Sequence, residues 1–524
     1  MTVQAEFCAT LADEWIRGGL RHVVVSPGSR STPLAVALAA RDELDTRIVI
    51  DERSAGFVAL GVGLATGRAA LVLTTSGTAA AELTPAAVEA HHARVPLLLV
   101  TADRPWEAMA VRAPQTIDQT RFFDGLTRFA AAPGVPDEAS ATAWRSLAAR
   151  ALLDTRHSRN GPGPVHLNLA FREPLLPDAP VTARPGRAGG APWHRLDDAP
   201  PGLTPLPLPG RRGLVVAGAG APAVGTLHSL GWPVLADPRS GVRIPHRLTV
   251  ASADALLRVA AFADEHRPDV VLHVGEPWAS RVVDEWLAAS GAEHVVVDPH
   301  GVWPDPRRVA ARMVRGPVAP IAEDQPEDGW VDAWSHAESA AQSAISRVLG
   351  DAPHDTSASA AVRTRAAELA DDGILFVASS MAVRDLEWFA APRLGGTVLS
   401  NRGANGIDGL VSTAAGIAWA SPDQPVVALL GDLAYLHDIG GLRAAAEHDN
   451  LSIVVLDNDG GAIFDFLPQA TALDGDTFAR LFTTPHGLEL SAWPATNVEF
   501  VKVASGTAAD THRAIHAAVA QALV

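Results

Sequence analysis

Short apolar runs alternate with helical stretches of small residues along most of this chain, and that alternation constrains the fold more than any other feature. From Arg47 the order is a strand "RIVI", a helix "RSAGFVALGVGLATG" closing on Gly67, a strand "AALVLTT", a helix "GTAAAELTPAAVEAHHA" and a strand "PLLLVTAD". Apolar strands joined by helices of about 12 to 16 residues predict a parallel sheet covered on both faces. The pattern returns with "GLVVAG" at 213, "PVLAD" at 233, "DVVLHVG" at 269 and "EHVVVD" at 293. It returns again with "GILFVAS" at 373, "GTVLSN" at 396, a small-residue helix from 406, "PVVALLGD" at 425, a helix through 436 to 448 and "LSIVVLDND" at 451.

A chain of 524 residues exceeds what one core supports. The expected fold is α/β, with three doubly wound parallel-sheet domains in series at 1–180, 212–345 and 346–524. An aperiodic segment dense in Pro, Gly and Arg at 181–211 reads as a linker. The Ala- and Gly-rich helices around 79–93 and 406–420 suit close packing between domains or subunits.

Hydrophobic residues make up 48% and charged residues 19%, the balance of a soluble globular protein. No apolar run reaches the roughly 18 residues of a spanning helix, and "MTVQAEFCATLADEW" lacks a basic segment followed by an apolar one, so a cytoplasmic location without membrane insertion is expected. Cys8, the only cysteine, excludes a disulfide within one chain and reads as a small buried hydrophobe. A net charge of -17 argues against nucleic acid or anionic lipid as partner. If the ligands are anions, arginines must be concentrated locally.

The strongest chemical signal is the pair "LLGDLAYLHD" and "VVLDNDGGAIF", two apolar strands each ending in an oxygen ligand beside glycine. Ligands of open α/β sheets bind at such strand ends. Gly431 allows close backbone approach, Asp432 supplies an anionic oxygen, and Asn458 and the Gly460 carbonyl supply neutral ones. Those three make half of an octahedral Mg²⁺ shell, which leaves the other positions to water and a phosphate-bearing cofactor. The plainer alternative is that each residue only caps a helix or turn. "VVAGAGAPAVG" also invites a dinucleotide reading, since Gly218 and Gly220 follow a strand and Asp237 ends the next, but the third glycine is misplaced for G-x-G-x-x-G.

The Gly-Asp motif with its later Asn resembles the diphosphate motif of thiamine diphosphate enzymes. Further stretches narrow the resemblance: "VSPGSRSTPLA" at 25, "DERSAGF" at 51, "TSGTAAAE" at 75, "TADRP" at 101, "QTIDQ" at 115, "SNRGANGIDGLVSTAAG" at 400, "GDLAYLHD" at 431 and "NDGGAIF" at 458. Together they are similar to the 2-succinyl-5-enolpyruvyl-6-hydroxy-3-cyclohexene-1-carboxylate synthases of menaquinone biosynthesis, transferases of the carboligase type. The resemblance implies a pyrimidine-binding domain at 1–180, a central domain at 212–345 and a diphosphate-binding domain at 346–524. It implies thiamine diphosphate and Mg²⁺, or Mn²⁺, as cofactors and 2-oxoglutarate and isochorismate as substrates. It also implies at least a dimer, with a tetramer equally allowed, because Glu52 would serve the cofactor of a neighbouring subunit.

Residue by residue, the resemblance makes Glu52 the carboxylate that exchanges a proton with the cofactor's pyrimidine. Ile407 would support the bent cofactor, with Gly431, Asp432, Leu433, Asn458, Gly460 and Ile463 around it. Arg30, Arg104, Arg384 and Arg402 would bind the substrates' carboxylates, for which a guanidinium fork is suited. Ser29, Gln115 and Ser380 would add neutral donors, Arg281 a further cation, and Phe464 an apolar wall. Asp51 is expected to cap the helix that follows, and Arg53 to be a solvated or subunit-contact charge. Two positions depart from the family pattern: Asp457, often asparagine in relatives, adds charge beside the metal, and Ala462 stands at a variable position. Residues 465–490 are expected to form a mobile cover. The alternatives are another 2-oxo acid decarboxylase or carboligase with the same cofactor, and a flavin- or nucleotide-binding regulatory or electron-transfer module.

Overall fold

Runs of apolar residues covered on both faces satisfy their backbone groups as strands by pairing with one another, and every ladder among the described residues is parallel. The computed structural model describes residues 2–177, 181–197, 202–221, 227–350, 357–492, 496–504 and 506–524. Residues 198–201, inside the expected linker, and 222–226, at the end of the glycine-rich "VVAGAGAPAVG" stretch, lie outside the described residues. The chain divides into two compact units. The first comprises Met1–Asp198, Asn401–Gln424 and Leu436–Leu451, the second Ala199–Ser400, Pro425–Tyr435 and Ser452–Val524.

The first unit carries a six-stranded sheet of β1 His22–Val25, β2 Asp45–Ile48, β3 Ala70–Thr74, β4 Leu97–Asp103, β5 Phe129–Gly134 and β6 Pro164–Ala170, in the order β2-β1-β3-β4-β6-β5. β3 and β4 are buried along their whole length. Helix Glu52–Thr66, buried from Ser54 to Gly63, lies against helix Leu410–Ala420. A Cβ on Gly61 would stand 2.1 Å from the Thr413 carbonyl and one on Gly416 2.0 Å from the Val58 carbonyl, so the two backbones touch where neither has a side chain. The helix expected over 77–93 is two, Thr78–Ala81 and Thr84–His92, because Pro85 fits only a first turn. Cys8 is fully buried in this unit's core, and burial pushes its thiol pKa up.

The second unit contains β7 Thr204–Leu208, β8 Gly213–Ala217, β9 Val234–Ala236, β10 Thr249–Val250, β11 Val270–Val274, β12 Glu293–Asp298, β13 Ala310–Arg315 and β14 Val318–Ala322. Six of them form a sheet in the order β10-β9-β8-β11-β12-β13, and β7 pairs with β14. The end of the segment read as linker is therefore a strand. A five-stranded sheet completes the unit, with β15 Ile374–Val377, β16 Thr397–Leu399, β17 Val426–Gly431, β18 Leu451–Asp457 and β19 Val498–Lys502 in the order β16-β15-β17-β18-β19. The strand order reverses between β1 and β3, β8 and β11, and β15 and β17, and the crevice of an open α/β sheet lies at such reversals. No helix among the described residues is long and apolar enough to cross a membrane.

Candidate active site

In the second unit, β17 and β18 end side by side and deliver the paired motifs to one edge. Asp432 is buried, and its carboxylate accepts three backbone N–H groups: Leu433 at 2.6 Å, Asn458 at 3.1 Å and Gly460 at 2.8 Å. Burial pushes this carboxyl above its ordinary pKa, against the pull of the Gly460 and Leu433 N–H groups. Gly460 has φ of +140° and a Cβ there would stand 2.1 Å from the Thr483 carbonyl, so only glycine lets the loop pass. A Cβ on Gly431 would meet nothing within 4 Å among the described residues. The protein's own packing does not require glycine there, and the space it leaves lies beside Asp432. Among the described residues the side-chain oxygen of Asn458 is buried without a hydrogen-bond partner, a cost that a cation held with Asp432 would remove. These residues fit a hard divalent ion with oxygen ligands.

Ser380 and Arg384 stand on the other side of the same reversal, where β15 runs into helix Met381–Phe389. Arg384 donates to the Ser380 carbonyl at 2.8 Å, and its partial burial lowers its pKa. Ile463 and Phe464 lie on the turn Ala462–Phe466, half-buried, with the Phe464 ring 5.6 Å from that of Phe482. The Arg281 side chain is 82% exposed and pairs with Glu285, four residues on, at 2.7 Å, while Ala279 N–H, two residues earlier, donates to Glu387 on the Arg384 helix at 2.8 Å. Such a surface pair contributes only about 0.3–0.5 kcal/mol. The expected cover at 465–490 is built of short helical turns, Gln469–Ala472, Gly475–Phe478 and Ala479–Thr483, and is tied down by Gly461 N–H donating to Thr483 O at 2.7 Å. At the β8 and β11 reversal a Cβ on Gly218 would fall 1.6 Å from the Glu276 carbonyl. That glycine serves a contact between two loops.

In the first unit, Asp51 accepts the N–H groups of Arg53 at 2.9 Å and Ser54 at 3.2 Å, so the expected cap is present. Glu52 is the first residue of the helix and half-buried, at the end where the helix dipole favours a carboxylate. Arg53 is not simply solvated. It donates to the His437 carbonyl at 3.1 Å and lies 3.6 Å from Asp438. Ser29 and Arg30 follow β1; Ser29 is exposed, while Arg30 donates to the Phe171 carbonyl at 3.0 Å and pairs with Glu173 at 3.2 Å. Arg104 follows β4 and donates to the Ser76 hydroxyl and, at 2.6 Å, to the Gln115 carbonyl. Gln115 in turn donates to the Ser76 carbonyl at 2.8 Å. Burial and the neighbouring Arg30 charge lower the Arg104 pKa, so two cations are gathered at one sheet edge. Arg402 is half-buried and Ile407 is 43% exposed, both on the loop before helix Leu410–Ala420.

Residues 5–122 match the thiamine pyrophosphate enzyme N-terminal TPP binding domain, and residues 383–523 the corresponding C-terminal TPP binding domain. A 2-succinyl-5-enolpyruvyl-6-hydroxy-3-cyclohexene-1-carboxylate synthase of Myxococcus xanthus is 40% identical over 92% of this chain and 87% of its own length. The chain belongs to this synthase family. Two further synthases, from Thermobifida fusca and Kineococcus radiotolerans, are 41% and 42% identical over 95% and 94% of the chain and 91% and 90% of their own lengths.

For a member of the synthase family, the structure adds residues that sequence reasoning passed over. Glu89 is buried, and its carboxylate accepts the Gly403 and Ala404 N–H groups at 2.7 Å each, which pins the loop that carries Arg402 and Ile407. Burial raises its pKa, opposed by those two N–H groups. Its signal was a lone carboxylate on an alanine-rich helix. Gln119, fully buried, accepts the Gly77 N–H at 2.8 Å and donates to Asn168 at 2.9 Å beneath the Arg104 edge. Lys502, the only lysine of the sequence, pairs with Asp457 at 2.8 Å and so balances its charge. His486 lies 3.5 Å from both Asp432 and Asp457, from a segment with no motif of its own.

Proposed function

We propose that the chain decarboxylates 2-oxoglutarate with thiamine diphosphate and joins the remaining succinyl unit by conjugate addition to isochorismate, giving 2-succinyl-5-enolpyruvyl-6-hydroxy-3-cyclohexene-1-carboxylate and carbon dioxide. The observation that carries this reading is a match to synthases of that name over 92 to 95% of the chain, which takes in both the Glu52 and the Asp432 segments.

Asp432, the side-chain oxygen of Asn458 and the carbonyl of Gly460 would hold Mg²⁺, or Mn²⁺ in its place. Gly431, Leu433, Ile407 and Ile463 would line the cofactor. When bound, thiamine diphosphate would supply a nucleophilic carbon for the 2-oxo group and a sink for the electron pair released with carbon dioxide. Glu52 would hold and return a proton at the cofactor's pyrimidine. Arg30, Arg104, Arg384 and Arg402 would neutralise the substrates' carboxylates, Ser29, Gln115 and Ser380 would donate to their remaining oxygens, and Phe464 would exclude water; Arg281 is assigned to isochorismate. The domain roles are pyrimidine binding at 1–180, a linker at 181–211, a central domain at 212–345 and diphosphate binding at 346–524. The enzyme would work in the cytoplasm as a homodimer or larger oligomer in which Glu52 serves the neighbouring subunit's cofactor.

The test is to mix protein, thiamine diphosphate, Mg²⁺, 2-oxoglutarate and isochorismate and to follow isochorismate loss. Carbon dioxide release without isochorismate loss would mark a simple decarboxylase and reject the reading. Glu52→Gln keeps size but cannot exchange the proton, and is expected to lower kcat by about 100-fold or more with Mg²⁺-dependent cofactor binding retained.

A further inference from the structure

Asp432, Asp457 and His486 present one ligand atom each, all within 4.8 Å of one another, and two of these residues lie outside the oxygen set assigned to Mg²⁺ above. His486 Nε2 lies 3.5 Å from Asp432 Oδ2 and 3.5 Å from Asp457 Oδ1. Hydrogen-bonded nitrogen and oxygen atoms sit at about 2.9 Å, whereas two ligands each about 2.0 Å from one tetrahedral ion stand roughly 3.3 Å apart. The observed spacing matches a shared cation better than direct contact.

The imidazole is also built into place. Its side chain is 8% exposed, and among the described residues Nε2 makes no hydrogen bond although it points at two carboxylates. On the far side of the ring, Asp459 Oδ1 lies 3.4 Å from Nδ1, the arrangement by which a carboxylate orients a metal-binding histidine. The Leu488 N–H also reaches Nδ1, at 3.0 Å. Ligation through Nε2 puts the ring proton on Nδ1 with Asp459 as acceptor, and returns this exposed N–H to water. Asp459 is itself held by the Gly487 N–H at 2.7 Å, and Asp457 by Lys502 through its other oxygen at 2.8 Å.

We propose that Asp432, Asp457 and His486 form a second cation position, selective for borderline divalent ions such as Zn²⁺ or Co²⁺ over Mg²⁺. An imidazole nitrogen suits those ions, while Mg²⁺ prefers oxygen. The position shares Asp432 with the Mg²⁺ set and rests on that reading of the site, so an ion in one excludes an ion in the other. Zn²⁺ therefore acts as an inhibitor competitive with Mg²⁺.

Titration of the apo chain with Co²⁺ is expected to give the intense visible bands of a low-coordinate site, and His486→Gln to abolish them. The same variant is expected to weaken Zn²⁺ binding by about ten-fold or more while changing Mg²⁺-dependent thiamine diphosphate binding by less than about two-fold. Co²⁺ bound to the wild-type chain should show ¹⁴N coupling in pulsed electron paramagnetic resonance, a readout that needs no variant. Absence of that coupling, or equal Co²⁺ spectra and Zn²⁺ affinities in the two chains, overturns the proposal. Asp432→Ala separates the two levels: if it leaves Mg²⁺-dependent cofactor binding intact, the Mg²⁺ assignment falls, whereas the nitrogen ligand is judged by the His486 measurements.

Discussion

Asp438 is fully buried, and its carboxylate accepts the Ser412 N–H at 2.7 Å and the Ser412 hydroxyl at 3.1 Å, with the Arg53 guanidinium 3.6 Å away. Burial outweighs these partners and pushes its pKa from 3.8 up to about 6, with Asp51 adding to the rise. A carboxyl whose pKa is raised on folding adds stability below its unfolded pKa and loses it as pH rises through the folded one. The loss amounts to about 3 kcal/mol for a shift of roughly two units. Asp438→Asn does not titrate, so its stability relative to wild type should rise by about that amount between pH 4 and pH 7, measured by urea unfolding at each pH. A difference independent of pH would sink this account. At this scale some roles could be read in advance and others could not. Asp51 precedes an apolar helical pattern and its cap follows from local geometry, but the charge on Glu89 meets its partners, Gly403 and Ala404, more than three hundred residues on. No local pattern encodes that meeting.

Helices Glu52–Thr66 and Leu410–Ala420 show how packing overrules propensity. By propensity alone, Gly61→Ala would gain about 1 kcal/mol. The added Cβ would stand 2.1 Å from the Thr413 carbonyl, a backbone atom that cannot swing aside, and overpacking of this kind costs about 1–3 kcal/mol or more. The expected outcome is a net loss of about 2 kcal/mol, read as a lowered denaturation midpoint, and a stabilised variant would show that the helices separate easily. Among the strands, the apolar runs that flank the helices were legible, and "EHVVVD" matches β12 residue for residue. β5 "FAAAPG", β7 "TPLPL" and the two-residue β10 were not, because alanine, proline and brevity leave no alternation to read. Those strands form because a neighbouring strand supplies their hydrogen bonds. The helix expected over 436–448 also breaks up, into Asp432–His437, Ile439–Gly441 and Leu442–Ala445, at a glycine pair.

For the whole molecule the decisive expectation concerns subunits. If Glu52 serves a neighbour's cofactor, Glu52→Gln and Asp432→Ala chains are each inactive alone, but their mixed dimer has one doubly altered site and one intact site. Equal mixing with subunit exchange should then restore about a quarter of wild-type activity. No recovery in verified mixed dimers would place both residues in the site of a single subunit. The sequence by itself determined the parallel α/β class and that oxygen-bearing side chains stand at the ends of β17 and β18, because strand periodicity and strand-end chemistry are local properties of a few adjacent residues. Its motifs pointed to the family that the relatives then showed. Only the tertiary structure decided that residues 401–424 join the first unit, that Glu89 pins the loop bearing Arg402, and that His486 and Lys502 converge on Asp457. Each of those is a contact between distant segments, set by which surfaces exclude water together, and spacing along the chain carries no record of it.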